Sequence, residues 1–144
     1  MKTILFICTG NSARSVMAEV LTNELGNARY LAFSAGAKPS GEVNPLTIEV
    51  LKAHGHSTAG LHSKSLTEFL DKDLDIVVTV CDNARESCPV WPKKTIVMHW
   101  GFEDPAAFDG SREEKLAFFE EIYGRIRARI ERFLADDMPS GAGS

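Results

Sequence analysis

Thr3 to Ile7 (TILFI) is a short run, apolar without a break from Ile4, and Gly10-Asn11-Ser12 turns the chain soon after it. So short and continuous a run reads as a strand buried on both faces, the kind found in parallel sheets. Asp75 to Val80 and the shorter Thr95 to Met98 repeat the pattern. Tyr30 to Ser34 is a further strand candidate, closed by Ala35 and Gly36. Segments of helical period lie between. Ser15 to Leu25 carries Val16, Met17, Val20, Leu21 and Leu25 at helical spacing and ends at Gly26. Pro45 to His54 has Asn44 as N-cap, Pro45 at its first position and Gly55 as its stop. Leu66 to Leu70 predicts a short helix. Ser111 to Leu134 predicts a long one, with Leu116, Phe119, Ile122, Ile126 and Ile130 on its apolar face. This alternation predicts an α/β fold with a four-stranded parallel sheet and right-handed crossovers. Ligands of such sheets sit beyond the carboxyl ends of the strands, where Cys8 and Cys81 fall.

The 144 residues suit one domain over 1–137, followed by a Pro/Ser/Gly-rich tail over 138–144 that is expected to be disordered. A net charge of −4 argues against nucleic acid as a partner. Any anion site must be local, made by a few Arg residues and backbone N–H groups. No apolar run approaches the length of a membrane span, and the N-terminal run stops too soon for a signal peptide. The expected location is cytoplasmic. There, structural disulfides are not expected, so the three Cys invite a chemical reading beside the bland one of free, buried thiols.

The segment Cys8-Thr9-Gly10-Asn11-Ser12-Ala13-Arg14-Ser15 joins a strand to a helix. Five residues between Cys8 and Arg14 let successive backbone N–H groups converge on one point. The helix adds its positive N-terminal end. Arg14 offers a planar fork for two oxyanion oxygens. Gly10 and Asn11 suit the positive φ values such a curl needs. The same field favours a thiolate at Cys8, and the Ser15 hydroxyl is placed to hydrogen-bond it. A thiolate at the floor of an oxyanion cup is a nucleophile aimed at a tetrahedral oxyanion.

Cys81 and Cys88 are seven residues apart. On a regular helix they would share a face, roughly 10 Å apart at 1.5 Å rise per residue. A disulfide needs Cα atoms within about 7 Å. The pair can therefore bond only if the segment loops out or unwinds, which makes it a candidate redox switch. Zinc fits poorly, because the spacing is wrong and no His surrounds the pair.

The loop Cys8 to Ser15 resembles the phosphate-binding loop of the low-molecular-weight protein tyrosine phosphatase fold, a superfamily of phosphatases and one class of arsenate reductases. Cys81 and Cys88, the latter followed by Pro89, resemble the arsenate reductase branch. His99-Trp100-Gly101-Phe102-Glu103-Asp104-Pro105 resembles the family's general-acid loop. The resemblance runs from Lys2 to about Leu134. It implies a three-layer α/β sandwich, with arsenate held by Thr9, Gly10, Asn11, Ser12, Ala13, Arg14 and Ser15. It further implies attack by Cys8, a proton from Asp104, and a disulfide cascade through Cys81 and Cys88. Thioredoxin, or alternatively glutaredoxin, is the implied reductant of a monomeric chain that needs no organic cofactor and no metal. Some members of the family hold a monovalent cation beside the loop. Asn11, Glu19 and Ser34 resemble three of its ligands, but no acid stands at Ser63 or Lys64, and the Lys64 ammonium is expected to take the cation's place. His54, His56 and His62 read as loop or surface positions.

Two rivals stay open. A tyrosine phosphatase would use Cys8, Arg14 and Asp104 in the same roles, but gives no task to Cys81 or Cys88. The Asp104-Pro105 pair here comes well before the long last helix, and no Tyr flanks Asp104 to grip an aryl group. A non-catalytic thiol sensor or oxyanion-binding module would have no need of a nucleophile and an acid converging on one anion.

Overall fold

The computed structural model describes residues 1–81, 90–92 and 94–137. Cys88 and the tail from Met138 lie outside these residues. Four strands, β1 (Lys2–Cys8), β2 (Tyr30–Gly36), β3 (Ile76–Thr79) and β4 (Ile96–His99), form one parallel sheet in the order β2-β1-β3-β4. Three α-helices accompany them: α1 (Arg14–Leu25), α2 (Pro45–Ala53) and α3 (Arg112–Asp137). Two 3-10 helices, Leu66–Phe69 and Pro105–Ala107, complete the described elements. The predicted elements are all present, most with ends shifted by one or two residues.

From β1 the chain moves first to β2 on one side and then to β3 on the other. The crevice between the ends of β1 and β3 is thus the switch point where open α/β sheets bind ligands. The ladder runs to Ile7 opposite Thr79, and Val80 N donates to Ile7 O over 2.9 Å. Cys8 and Cys81 therefore emerge on adjacent strands, one residue out of register.

β1 and β3 are buried along both faces, as their unbroken apolar runs require. Phe6 meets Trp100, whose ring also packs edge-on against Phe133 of α3. On the opposite face Phe33 of β2 packs against Phe69. α1 lies along β1 and β2 and packs against α3, and α2 packs on both helices. Asn44 caps α2 as expected, its Oδ1 accepting from Leu46 N at 2.9 Å. Gly55 ends α2 with φ of 81°. No helix among the described residues is long and apolar enough to cross a membrane.

One histidine departs from its expected place. His56 is buried rather than on the surface. Its Nδ1 lies 2.5 Å from Glu24 Oε2 and its Nε2 lies 2.6 Å from Tyr123 Oη. Arg127 Nη1 donates to the same Tyr123 oxygen at 3.2 Å. A neutral imidazole protonated at Nδ1 satisfies every partner: Arg127 donates to Tyr123, Tyr123 to His56, and His56 to Glu24. The cluster fastens α1, the end of α2 and α3 together. No periodicity marks it, because His56 lies beyond the end of α2.

Candidate functional site

The Cys8–Arg14 loop is shaped by where its carbonyls go. Thr9 O accepts from Lys38 N at 2.9 Å, and Gly10 O accepts from both Ser40 N and Ser63 Oγ at 2.9 Å. Ser12 O accepts from Asn44 N at 3.0 Å and from Thr47 Oγ1 at 2.8 Å. In a trans peptide the following N–H points the opposite way. Carbonyls drawn outward into the surrounding loops and α2 thus turn the amides of Gly10, Asn11 and Ala13 inward. α1 adds its own free amides: Ala13 at its N-cap gives no side-chain cap, and no acid occupies the first turn. The result is a cavity of about 210 Å³ lined by the loop and Asp104.

Asn11 holds the curl together. Its φ is 49°, in the left-handed region that Asn tolerates. Gly10 was expected to share that conformation and does not; a Cβ there would meet only ordinary contacts, the nearest at 3.5 Å. The close approach falls at Gly36 instead, where a Cβ would lie 2.6 Å from Thr9 O. The Asn11 carboxamide accepts from Lys64 N at 2.8 Å and donates from Nδ2 to Ser15 Oγ at 2.9 Å. Ser15, accepting that bond, keeps its own hydrogen for Cys8 Sγ, 2.8 Å away. Asn11 N donates to the same sulfur at 3.2 Å. Two donors thus converge on one buried sulfur. Asn11→Ala removes both carboxamide bonds, leaves Lys64 N without its partner and places Ala at a left-handed φ. It should cost about 2–4 kcal/mol, read as a fall in the urea midpoint at unchanged slope. A loss below about 0.5 kcal/mol would show that the loop does not depend on Asn11.

Arg14 is 9% exposed and spans two walls of the site. Nη1 donates to Phe102 O at 3.1 Å, and Nη2 lies 3.6 Å from Asp104 Oδ2. Asp104 Oδ1 meanwhile accepts from Ala106 N at 3.0 Å, capping the 3-10 turn that begins at Pro105. The residue that caps this turn thus also faces Arg14. The acid loop itself hangs from β3: Trp100 N donates to Thr79 O at 2.8 Å and Phe102 N to Val80 O at 3.2 Å.

Cys81 is 5% exposed and lines a second cavity of about 550 Å³, shared with Thr9, Arg14 and the stretch from Gly101 to Asp104. Its sulfur lies 3.3 Å from Thr9 Oγ1. The structure therefore sets Cys8 and Cys81 on two adjoining cavities that share Thr9, Arg14 and Asp104. Cys88 lies outside the described residues. The contact between Thr9 and Cys81 joins residues 72 positions apart, and no spacing in the sequence signals it.

Beside the loop, Ser34 Oγ donates to Glu19 Oε1 at 2.5 Å, and Lys64 Nζ lies 3.9 Å from the same carboxylate oxygen. Lys64 Nζ also donates to His62 O at 3.1 Å. A positive group already faces Glu19, and Asn11 Oδ1 is engaged by Lys64 N, so these residues do not fit a monovalent cation.

The family model of low molecular weight phosphotyrosine protein phosphatases matches residues 3–137. An arsenate reductase of Bacillus licheniformis is 38% identical over 136 residues, covering 92% of this chain and 94% of that protein. An arsenate reductase of Archaeoglobus fulgidus has a similar structure, with a TM-score of 0.75 at 30% identity over 92% of this chain and 98% of that one. A thioredoxin-dependent arsenate reductase of Corynebacterium glutamicum matches with a TM-score of 0.72 at 26% identity, over 94% of this chain and 60% of that one. With the family model covering nearly the whole chain and relatives of this identity, the chain belongs to the low molecular weight phosphotyrosine protein phosphatase family.

Proposed function

We propose that the chain is an arsenate reductase in which Cys8 is the nucleophile, Arg14 and the loop amides of residues 9–15 hold the oxyanion, and Cys81 and Cys88 form a disulfide relay. The observation that carries this reading is the second thiol. Cys81 lines a cavity that adjoins the one at Cys8 and shares Thr9, Arg14 and Asp104 with it, a place where a phosphatase has no use for a thiol. The named relatives, similar over more than nine-tenths of this chain, support the same activity.

The chemistry follows from the residues. The Cys8 thiolate attacks arsenic, an arsenate hydroxyl takes a proton from Asp104 and leaves as water, and a sulfur–arsenic bond forms. Cys81 then attacks the Cys8 sulfur. The sulfur–arsenic bond breaks, its electron pair stays on arsenic, and arsenite departs. A Cys8–Cys81 disulfide remains. Cys88 attacks Cys81, which frees Cys8 and moves the disulfide to Cys81–Cys88. An external dithiol protein reduces it, returning the two electrons and two protons. Thioredoxin is the reductant we assign, in keeping with the name of the Corynebacterium glutamicum relative. We place the protein in the cytoplasm, where such dithiol systems keep thiols reduced, as one domain over residues 1–137 acting as a monomer.

Arsenate-dependent NADPH oxidation with thioredoxin and thioredoxin reductase tests the reading. The wild-type protein should turn over arsenate and release arsenite. An absence of arsenate-dependent oxidation, together with hydrolysis of an aryl phosphate, would establish the phosphatase instead.

A further inference from the structure

Glu103 and Asp104 put two carboxylates in succession at the edge of a site built for an anion. Asp104 must stay close to the oxyanion to deliver a proton. Glu103 has no such task, and its charge repels the substrate. The backbone at Asp104 is extended, with φ of −83° and ψ of 107°, and extended backbone sends successive side chains to opposite sides. Glu103 nevertheless lines the same large cavity as Arg14 and Cys81. Its carboxylate is caught by α3: Arg125 Nη1 donates to Glu103 Oε1 at 3.2 Å. The other amino group of Arg125 bonds Glu121 one turn earlier, which fixes the guanidinium on the helix. The Glu103 hydrogen bond, with Glu121 nearby, raises the Arg125 pKa above its ordinary value, so the clamp is charged at every working pH.

We propose that Arg125 is a positioning residue for the oxyanion site, holding the Glu103 carboxylate on α3 and cancelling its charge where it would oppose anion binding. As an exposed pair it adds little to stability. Its effect is on the field in the crevice, which lies within about one Debye length of Glu103 at physiological salt.

The inference rests on the cup being an oxyanion site, so its test uses inorganic phosphate, which the protein cannot reduce. At low ionic strength Arg125→Ala should weaken phosphate binding by roughly three- to ten-fold, and raise KM for arsenate with less change in kcat. Arg125→Lys should keep most of the affinity. In a Glu103→Gln background, Arg125→Ala should change the phosphate Kd less than about two-fold, because the charge to be held is gone. Added salt should shrink the effect. Equal weakening in both backgrounds would mean that Arg125 acts only through its own charge, and would overturn the proposal. So would an unchanged Kd, or a fall in kcat at constant KM. A wild-type protein that binds phosphate but does not reduce arsenate would end the functional reading while leaving the Kd comparison, and this inference, intact.

Discussion

Cys8→Ser should lower arsenate turnover by at least about 10⁴-fold while leaving phosphate affinity within roughly tenfold of wild type. The two effects separate because different atoms supply them. In the proposed site, binding comes from the inward amides of Gly10, Asn11 and Ala13, the open N-terminus of α1 and Arg14, none of which the substitution removes. Turnover comes from the sulfur, which receives bonds from Ser15 and Asn11 N at 2.8 and 3.2 Å. A serine hydroxyl at that point stays protonated and is a far weaker nucleophile. It also has no disulfide to form, so both the attack on arsenic and the two-electron step are lost. Steady-state assay of the variant beside calorimetric phosphate titration measures both. Residual turnover above about 1% would remove Cys8 from the reaction. A collapse of phosphate binding would instead mean that the sulfur shapes the cup.

Much of this site was legible in the sequence because its parts are local. A buried strand, a short turn and a helix determine where Cys8, Arg14 and Ser15 stand relative to one another, and eight consecutive residues contain them all. The alternation of strands and helices gave the sheet, and with it the placing of Cys81 beyond β3. What stayed hidden depends on contacts between distant segments. The carbonyl partners Lys38, Ser40, Ser63 and Thr47 come from loops and from α2, and no pattern in the sequence marks them. Gly10 looked like the residue needing conformational freedom. The tight spot lies at Gly36 because β2 ends against the loop, a fact of strand register. His56 stands in a loop, as expected, but its burial is decided by Glu24 and Tyr123 on two helices distant in sequence. The clamp of Arg125 on Glu103 likewise joins a loop to a helix 22 residues on.

Cys88→Ser should convert a catalyst into a protein that releases one arsenite per molecule and stops. The first two steps of the proposed relay involve only Cys8 and Cys81. Those residues emerge from adjacent parallel strands one residue out of register. Neighbouring strands are about 4.8 Å apart and the one-residue offset adds about 3.3 Å along them, roughly 6 Å in all and still inside the roughly 7 Å that a disulfide allows between Cα atoms, so Cys8–Cys81 closure needs only local movement at the crevice. Both sulfurs are nearly buried, Cys8 at 2% and Cys81 at 5% exposure, and a disulfide formed there is poorly reached by an external dithiol. In the proposed relay the third thiol carries the oxidation away from Cys8. Without it, the oxidised site persists, and multiple-turnover rate should fall by at least about 10²-fold at equal thioredoxin. Quenched-flow measurement of arsenite, with thiol counting and peptide mass mapping, should find a burst of one equivalent, both remaining thiols lost, and a Cys8–Cys81 linkage. Continued turnover in the variant would show that a reductant reaches the first disulfide directly, and Cys88 would then have no part in the cycle. A burst without that linkage would place the electron transfer elsewhere and leave Cys81 as a wall of the cavity, nothing more.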